Sequence, residues 1–112
     1  MQISPASVAD HQLSQDQLSA LDTDGFVVLP SRFSTAEVDA LIGRLPSLFA
    51  AGHSANVIER ASGAVRTAMA LHERDDLFAE LVRDPRLVAP AQQLLGEPLY
   101  VQQVKVNVKA AF

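Results

Sequence analysis

The sequence predicts an α+β domain whose helices pack on one side of an antiparallel sheet. Three observations carry that expectation. Ser14 with Gln17, and Ser34 with Glu37, are capping-box signatures, each followed by apolar residues at helical spacing. Residues 99–109 alternate between apolar and polar side chains, the period of a strand. Ser62-Gly63 lies between two short β-rich segments and marks a hairpin turn.

Composition bounds the class. A chain of 112 residues, 48% hydrophobic and 20% charged, is sized for one domain and supplied for a core. It has no cysteine, which excludes a disulfide scaffold, a thiolate metal site and a thiol nucleophile. A formal charge of −4 argues against general nucleic-acid affinity. No apolar run approaches the ~20 residues of a membrane span, and the first residues lack a basic start with an apolar centre. The expectation is a soluble, cytoplasmic domain with neither nucleic acid nor membrane as partner. Charge is uneven along the chain: residues 1–59 hold seven acids and two bases, residues 60–112 six acids and seven bases. An anion site belongs in the second part.

In order, residues 1–13 have no period and read as a flexible tail, and 14–112 form the domain. A short helix runs from Ser14 to about Asp22, and Asp24-Gly25 turns the chain. Phe26-Val27-Val28-Leu29, closed by Pro30, reads as a short buried strand. Behind Ser34, the residues Val38, Leu41, Ile42, Leu45, Leu48 and Phe49 form the apolar stripe of a helix ending near Gly52, with Pro46 a kink in its last turn. Asn56–Glu59 and Ala64–Met69 are the arms of the hairpin. Asp75–Val82 reads as helix, Asp84-Pro85 interrupts it, and Arg86–Leu95 is a further helix stopped by Gly96. Leu99–Lys109 is the strongest strand. It puts Tyr100, Gln102, Val104, Val106 and Val108 on one face and Val101, Gln103, Lys105, Asn107 and Lys109 on the other.

Few residues offer chemistry. The histidines are His11, His53 and His72, none in a recognisable ligand set. His72, Asp75 and Asp76 could gather on a metal, but carboxylates just ahead of a helix more commonly cap it. A phosphate-binding glycine loop and a nucleophile elbow are absent. Gln103, Lys105 and Asn107 stand at i, i+2 and i+4, roughly 7 Å apart along the strand, two amides flanking an ammonium. They suit a small carboxylate, and would equally suit a solvated sheet face on which lysine discourages edge pairing. Arg60 and Arg66 straddle the Ser62-Gly63 turn. A symmetric register would place them on one side, as an anion clamp or as solvated arginines.

The order Asp24-Gly25-Phe26-Val27-Val28-Leu29-Pro30, Phe33-Ser34, Val65-Arg66, Leu71-His72, Leu94-Leu95-Gly96 and then Tyr100 through Lys109 resembles the N-terminal part of the phytanoyl-CoA dioxygenase family. Gln-x-Lys-x-Asn-x-Lys after Leu-Gly is the most specific part, and it is most similar to the ectoine-hydroxylase-like branch. The resemblance spans about residues 14–112. It implies the start of a double-stranded β-helix, a cupin-like jelly roll incomplete in this chain. It also implies an iron(II)- and 2-oxoglutarate-dependent dioxygenase that hydroxylates a small molecule. Asn107 then matches a 2-oxoglutarate contact, Lys105 is a candidate for a carboxylate of cofactor or substrate, and Gln103 faces substrate, with Arg66 a further substrate candidate. The family's iron ligands, a His-x-Asp pair and a distal histidine, and its carboxylate-anchoring arginine have no counterpart here, so these 112 residues alone are not expected to bind iron. Two readings follow: the N-terminal part of a hydroxylase, or a noncatalytic binding or homodimerising module derived from that fold, its strand edge open to pairing.

Overall fold

The computed structural model describes residues 9–109. The described residues form five helices and a three-stranded sheet. Helix α1 spans Gln15–Asp24 and α2 Thr35–Ala50. Strands β1 (Asn56–Ile58) and β2 (Val65–Met69) form the hairpin. Then come α3 (Leu71–Arg74), α4 (Asp76–Leu81), α5 (Pro85–Leu95) and β3 (Lys105–Asn107). The sheet is antiparallel throughout, in the order β1-β2-β3.

Local chemistry sets the helix boundaries. Ser14 and Ser34 each accept the N3 backbone N–H, while Gln17 and Glu37 reach back to the cap N–H, so both capping boxes close. Gly25 and Gly96 end α1 and α5 at φ 82° and 76°, a conformation that costs glycine nothing. Asp84 caps α5, and Pro85 occupies its first turn, where the missing N–H would have had no helical partner. Of the segment read as a tail, residues 1–8 lie outside the described residues. Ala9–His11 form a 3-10 turn, and Leu13 is buried with its backbone N–H and C=O bonded to Gln93 on α5.

The core lies between helices and sheet: Leu48 of α2, Ala68 of β2, Leu71 of α3 and Phe78 of α4, flanked by Leu41, Leu45, Phe49, Leu81, Val104 and Val106. A buried polar knot ties it together. Arg74 donates to Asn56 Oδ1 (2.9 Å), Met69 O (3.0 Å) and Leu48 O (3.0 Å), while Asn56 Nδ2 donates to Leu48 O (3.0 Å) and Phe49 O (3.3 Å). The last carbonyls of α2 are thereby satisfied by the hairpin, which fixes the end of β2.

Four expectations change. Residues 26–29 are not a buried strand: no strand pairs with them, and Phe26 and Val28 are 64% and 69% exposed. Their apolar pattern suits a sheet, but a strand exists only beside a hydrogen-bonding partner, and the described sheet offers none there. The final strand contracts from 99–109 to 105–107, because β2 runs out. Ala70 turns left-handed at φ 58° and sends the chain into α3, so its N–H to Val104 O is the last rung. The helix expected at Asp75–Val82 starts at Asp76, with α3 before it, and Asp75 is the cap between them. The hairpin register is not symmetric: Ile58 pairs with Val65 and Val57 with Thr67, which leaves Arg66 as the extra residue of a bulge.

Candidate functional site

The sheet is covered on one face only. Ala68 and its cross-strand partner Val106 lie on the core side. The pleat therefore sends Thr67 and Met69 of β2, and Lys105 and Asn107 of β3, to the opposite, open face. Gln103 continues that phase into the unpaired segment ahead of β3. Exposed Gln103, Lys105 and Asn107 alternate with half-buried Val104 and Val106, so the expected two-faced pattern holds where it bears on a site.

On the open face Asn107 is opposite Thr67 and Lys105 opposite Met69. Thr67 Oγ1 donates to Asn107 Oδ1 at 3.0 Å. Among the described residues Lys105 forms no salt bridge, which leaves its ammonium available to a ligand. Gln103 borders a hollow of about 250 Å³ at the head of this face, shared with Met69, Ala70, His72 and Glu73. His72 Nδ1 is shielded there without a partner, and its Nε2 is 3.9 Å from Glu73 Oε1. Arg66 is exposed, but at the bulge it stands out of phase with Lys105 and Asn107, and the shared side expected for Arg60 and Arg66 has no symmetric register to support it.

Of the carboxylates near His72, Asp75 is occupied by structural work. Asp75 accepts the N–H groups of Leu77 and Phe78 and is ion-paired with Arg44 at 3.1 Å. Among the described residues no group of three His, Cys, Asp or Glu side chains could hold a metal ion, so iron does not fit the residues present. A carboxylate does. Lysine supplies a compact positive charge and the asparagine amide supplies N–H donors, with Glu73 set apart at the hollow beside Gln103.

The strongest ion pairing lies elsewhere. Arg86 grips Glu37 (2.7 and 2.8 Å) and Asp84 (2.7 and 2.8 Å) and stacks 4.1 Å from the Phe33 ring. Its hydrogen bonds hold the Glu37 carboxyl down to about 2 and lower that of Asp84, and the two acids raise Arg86. This cluster closes on itself, joining the starts of α2 and α5. It is a clamp of the fold.

The residues that sequence reasoning missed are Thr67, Arg74 and Asn56. Thr67 meets Asn107 across 40 positions, a separation that no local pattern spans. Its place two residues before Met69, in phase with an alternating strand, was the available signal.

The helix-backed antiparallel sheet is shared with solved oxygenase structures. Against the crystal structure of EctD from S. alaskensis with bound Fe, the chain gives a TM-score of 0.79 at 33% identity, covering 85% of this chain and 35% of that one. The structure of the same enzyme with 2-oxoglutarate and 5-hydroxyectoine gives 0.78. The chain belongs to the phytanoyl-CoA dioxygenase family, whose model matches residues 21–111. It is 36% identical over 106 residues to an ectoine dioxygenase of Bordetella bronchiseptica, covering 89% of this chain and 34% of that enzyme. It is 42% identical over 88 residues to an L-proline trans-4-hydroxylase of Streptomyces griseoviridis, covering 79% and 33%. The chain thus spans about a third of the length of the curated relatives it matches.

Proposed function

We propose that this chain is the part of an iron(II)- and 2-oxoglutarate-dependent hydroxylase that offers donors to a 2-oxoglutarate carboxylate and an amide to a small-molecule substrate. The observation that supports it is the open face of β2 and β3, where Lys105, Asn107 and Gln103 stand in phase on a member of an oxygenase family. Bound iron and 2-oxoglutarate would supply the oxidising power to place an oxygen atom in a substrate C–H bond. The contribution of these residues is binding and orientation. Lys105 and Asn107 hold the carboxylate by charge-assisted hydrogen bonds, which strengthen as water is excluded. Gln103, at the hollow, orients the substrate, and Arg66 at the bulge meets an anionic group of it. Ectoine and L-proline, from the names of the relatives, are the first substrates to try. Iron(II) chemistry and a cysteine-free chain suit the reducing cytoplasm, where we place the protein.

The test is turnover by the native gene product supplied with iron(II), 2-oxoglutarate, oxygen and each substrate in turn. Succinate release matched by a hydroxylated product is expected. A folded product that consumes no 2-oxoglutarate under any of these conditions would contradict the reading.

One observation favours the second reading, a strand-pairing module. Val104, Val106 and Val108 turn their backbone groups toward β2, as the bonds from Ala70 N–H to Val104 O and from Val108 N–H to Arg66 O show. The backbone groups of Gln103, Lys105 and Asn107 therefore face away, and nearby Tyr100 is 85% exposed. Such an edge would pair two copies. Sedimentation of the native product distinguishes the outcomes: a dimer that consumes no 2-oxoglutarate supports this reading, and a monomer excludes it.

A further inference from the structure

Thr67 occupies the middle of the sheet register, with Val57 opposite it on β1 and Asn107 opposite it on β3. Val57 has no polar side-chain atom. The hydroxyl's cross-strand partner is therefore Asn107, and Thr67 Oγ1 donates to Asn107 Oδ1 at 3.0 Å. A primary amide has one acceptor oxygen and one nitrogen that donates twice. With the oxygen engaged by the Thr67 hydroxyl on the open face, both hydrogens of Nδ2 are left for a ligand.

We propose that Thr67 is a positioning residue that fixes the polarity of Asn107, so that Asn107 and Lys105 together present only donors to a ligand carboxylate. This rests on the reading of Lys105 and Asn107 as a 2-oxoglutarate carboxylate site and adds the residue that sets the sign of that site. The orientation needs a cause, because the neighbouring charge opposes it. Lys105, two residues along β3 on the same face, is a cation that would draw the amide oxygen outward. An outward oxygen would stand against the oxygens of the ligand and turn attraction into repulsion. The Thr67 hydroxyl holds it inward.

The experiment is an NMR titration of the labelled, metal-free native gene product with 2-oxoglutarate and, separately, succinate. It follows the Asn107 side-chain amide and the backbone signals of Lys105 and Asn107 in the wild type, Thr67→Val and Thr67→Ser. Valine keeps the shape and the strand preference while removing the hydroxyl, and serine restores it. In the wild type and in Thr67→Ser the Asn107 amide should shift saturably with either dicarboxylate. In Thr67→Val the affinity should fall about three- to tenfold, the effect of one hydrogen bond, with the remaining backbone signals unchanged. Equal affinity in Thr67→Val and the wild type would overturn the role of Thr67 and leave the site standing. If neither dicarboxylate moves Lys105 or Asn107 in the wild type, the site and the inference fall together.

Discussion

Arg86 joins parts of the chain 49 residues apart, and its contacts make a stability statement. Asp84 beside it is almost wholly buried, so Arg86→Ala would leave a carboxylate enclosed without its partner. The expected loss is about 3 kcal/mol, read from urea unfolding, and Arg86→Lys should recover only part of it because one ammonium cannot serve two carboxylates bidentately. The pH dependence has a definite sign. Glu37 titrates at about 2 when folded against 4.5 as a free side chain. Its stabilisation is complete above pH 4.5 and is lost as pH falls toward 2. Acid unfolding of Glu37→Gln, followed by circular dichroism, should therefore show a weaker dependence over that window than the wild type. An unchanged acid profile would remove Glu37 from the clamp. At this scale the sequence was half readable. Glu37 was recognisable as the closing residue of a capping box, since its partner Ser34 lies three residues away. Its bond to Arg86 depends on how α2 meets α5, and nothing near either residue encodes that.

Elements defined by their own residues were read well, and elements defined by a partner were not. Helices α1, α2 and α5 carry their caps in or beside their own spans, with glycine stops after α1 and α5, and they appear where expected to within a few residues. The segments 26–29 and 99–103 have the right alternation or apolarity for strands, yet a strand is a relation between two segments. Neither finds a partner among the described residues. The lifetime of each amide proton follows from that relation. In hydrogen exchange, Ala70 and Val108 should be protected by their bonds to Val104 O and Arg66 O, while Lys105 and Asn107, facing the outer edge, exchange quickly unless another strand covers them. Protection of Lys105 and Asn107 in the native product would show that edge paired. Pro46 offers a second check. It lies exposed inside α2, where it removes a backbone hydrogen bond. Pro46→Ala should raise stability by about 1–3 kcal/mol. A loss instead would mean that the backbone geometry proline imposes on α2 is needed to seat Leu48 against Asn56 and Arg74.

For the whole molecule, one-sidedness is the feature that links fold to function. Helices and core cover the Ala68 and Val106 face, and the other face shows a line of polar groups in phase with the strand. That line was visible as Gln103, Lys105 and Asn107, because a period of two needs no long-range knowledge. Its placement beside Thr67, with the hollow at Gln103, was not. The uneven charge placed an anion site in the second part of the chain, and both residues proposed to hold the carboxylate fall after residue 60. Family membership supports the proposal that this polar face meets a ligand. The most direct measurement is the steady-state KM of the native gene product for 2-oxoglutarate and for its substrate, in the wild type, Asn107→Ala and Gln103→Ala. Asn107→Ala should raise the KM for 2-oxoglutarate about tenfold with the substrate KM unchanged, the loss of one charge-assisted hydrogen bond. Gln103→Ala should do the reverse. If both substitutions leave both constants at the wild-type values, the open face of β2 and β3 is a solvated surface and the assignment of the site is wrong.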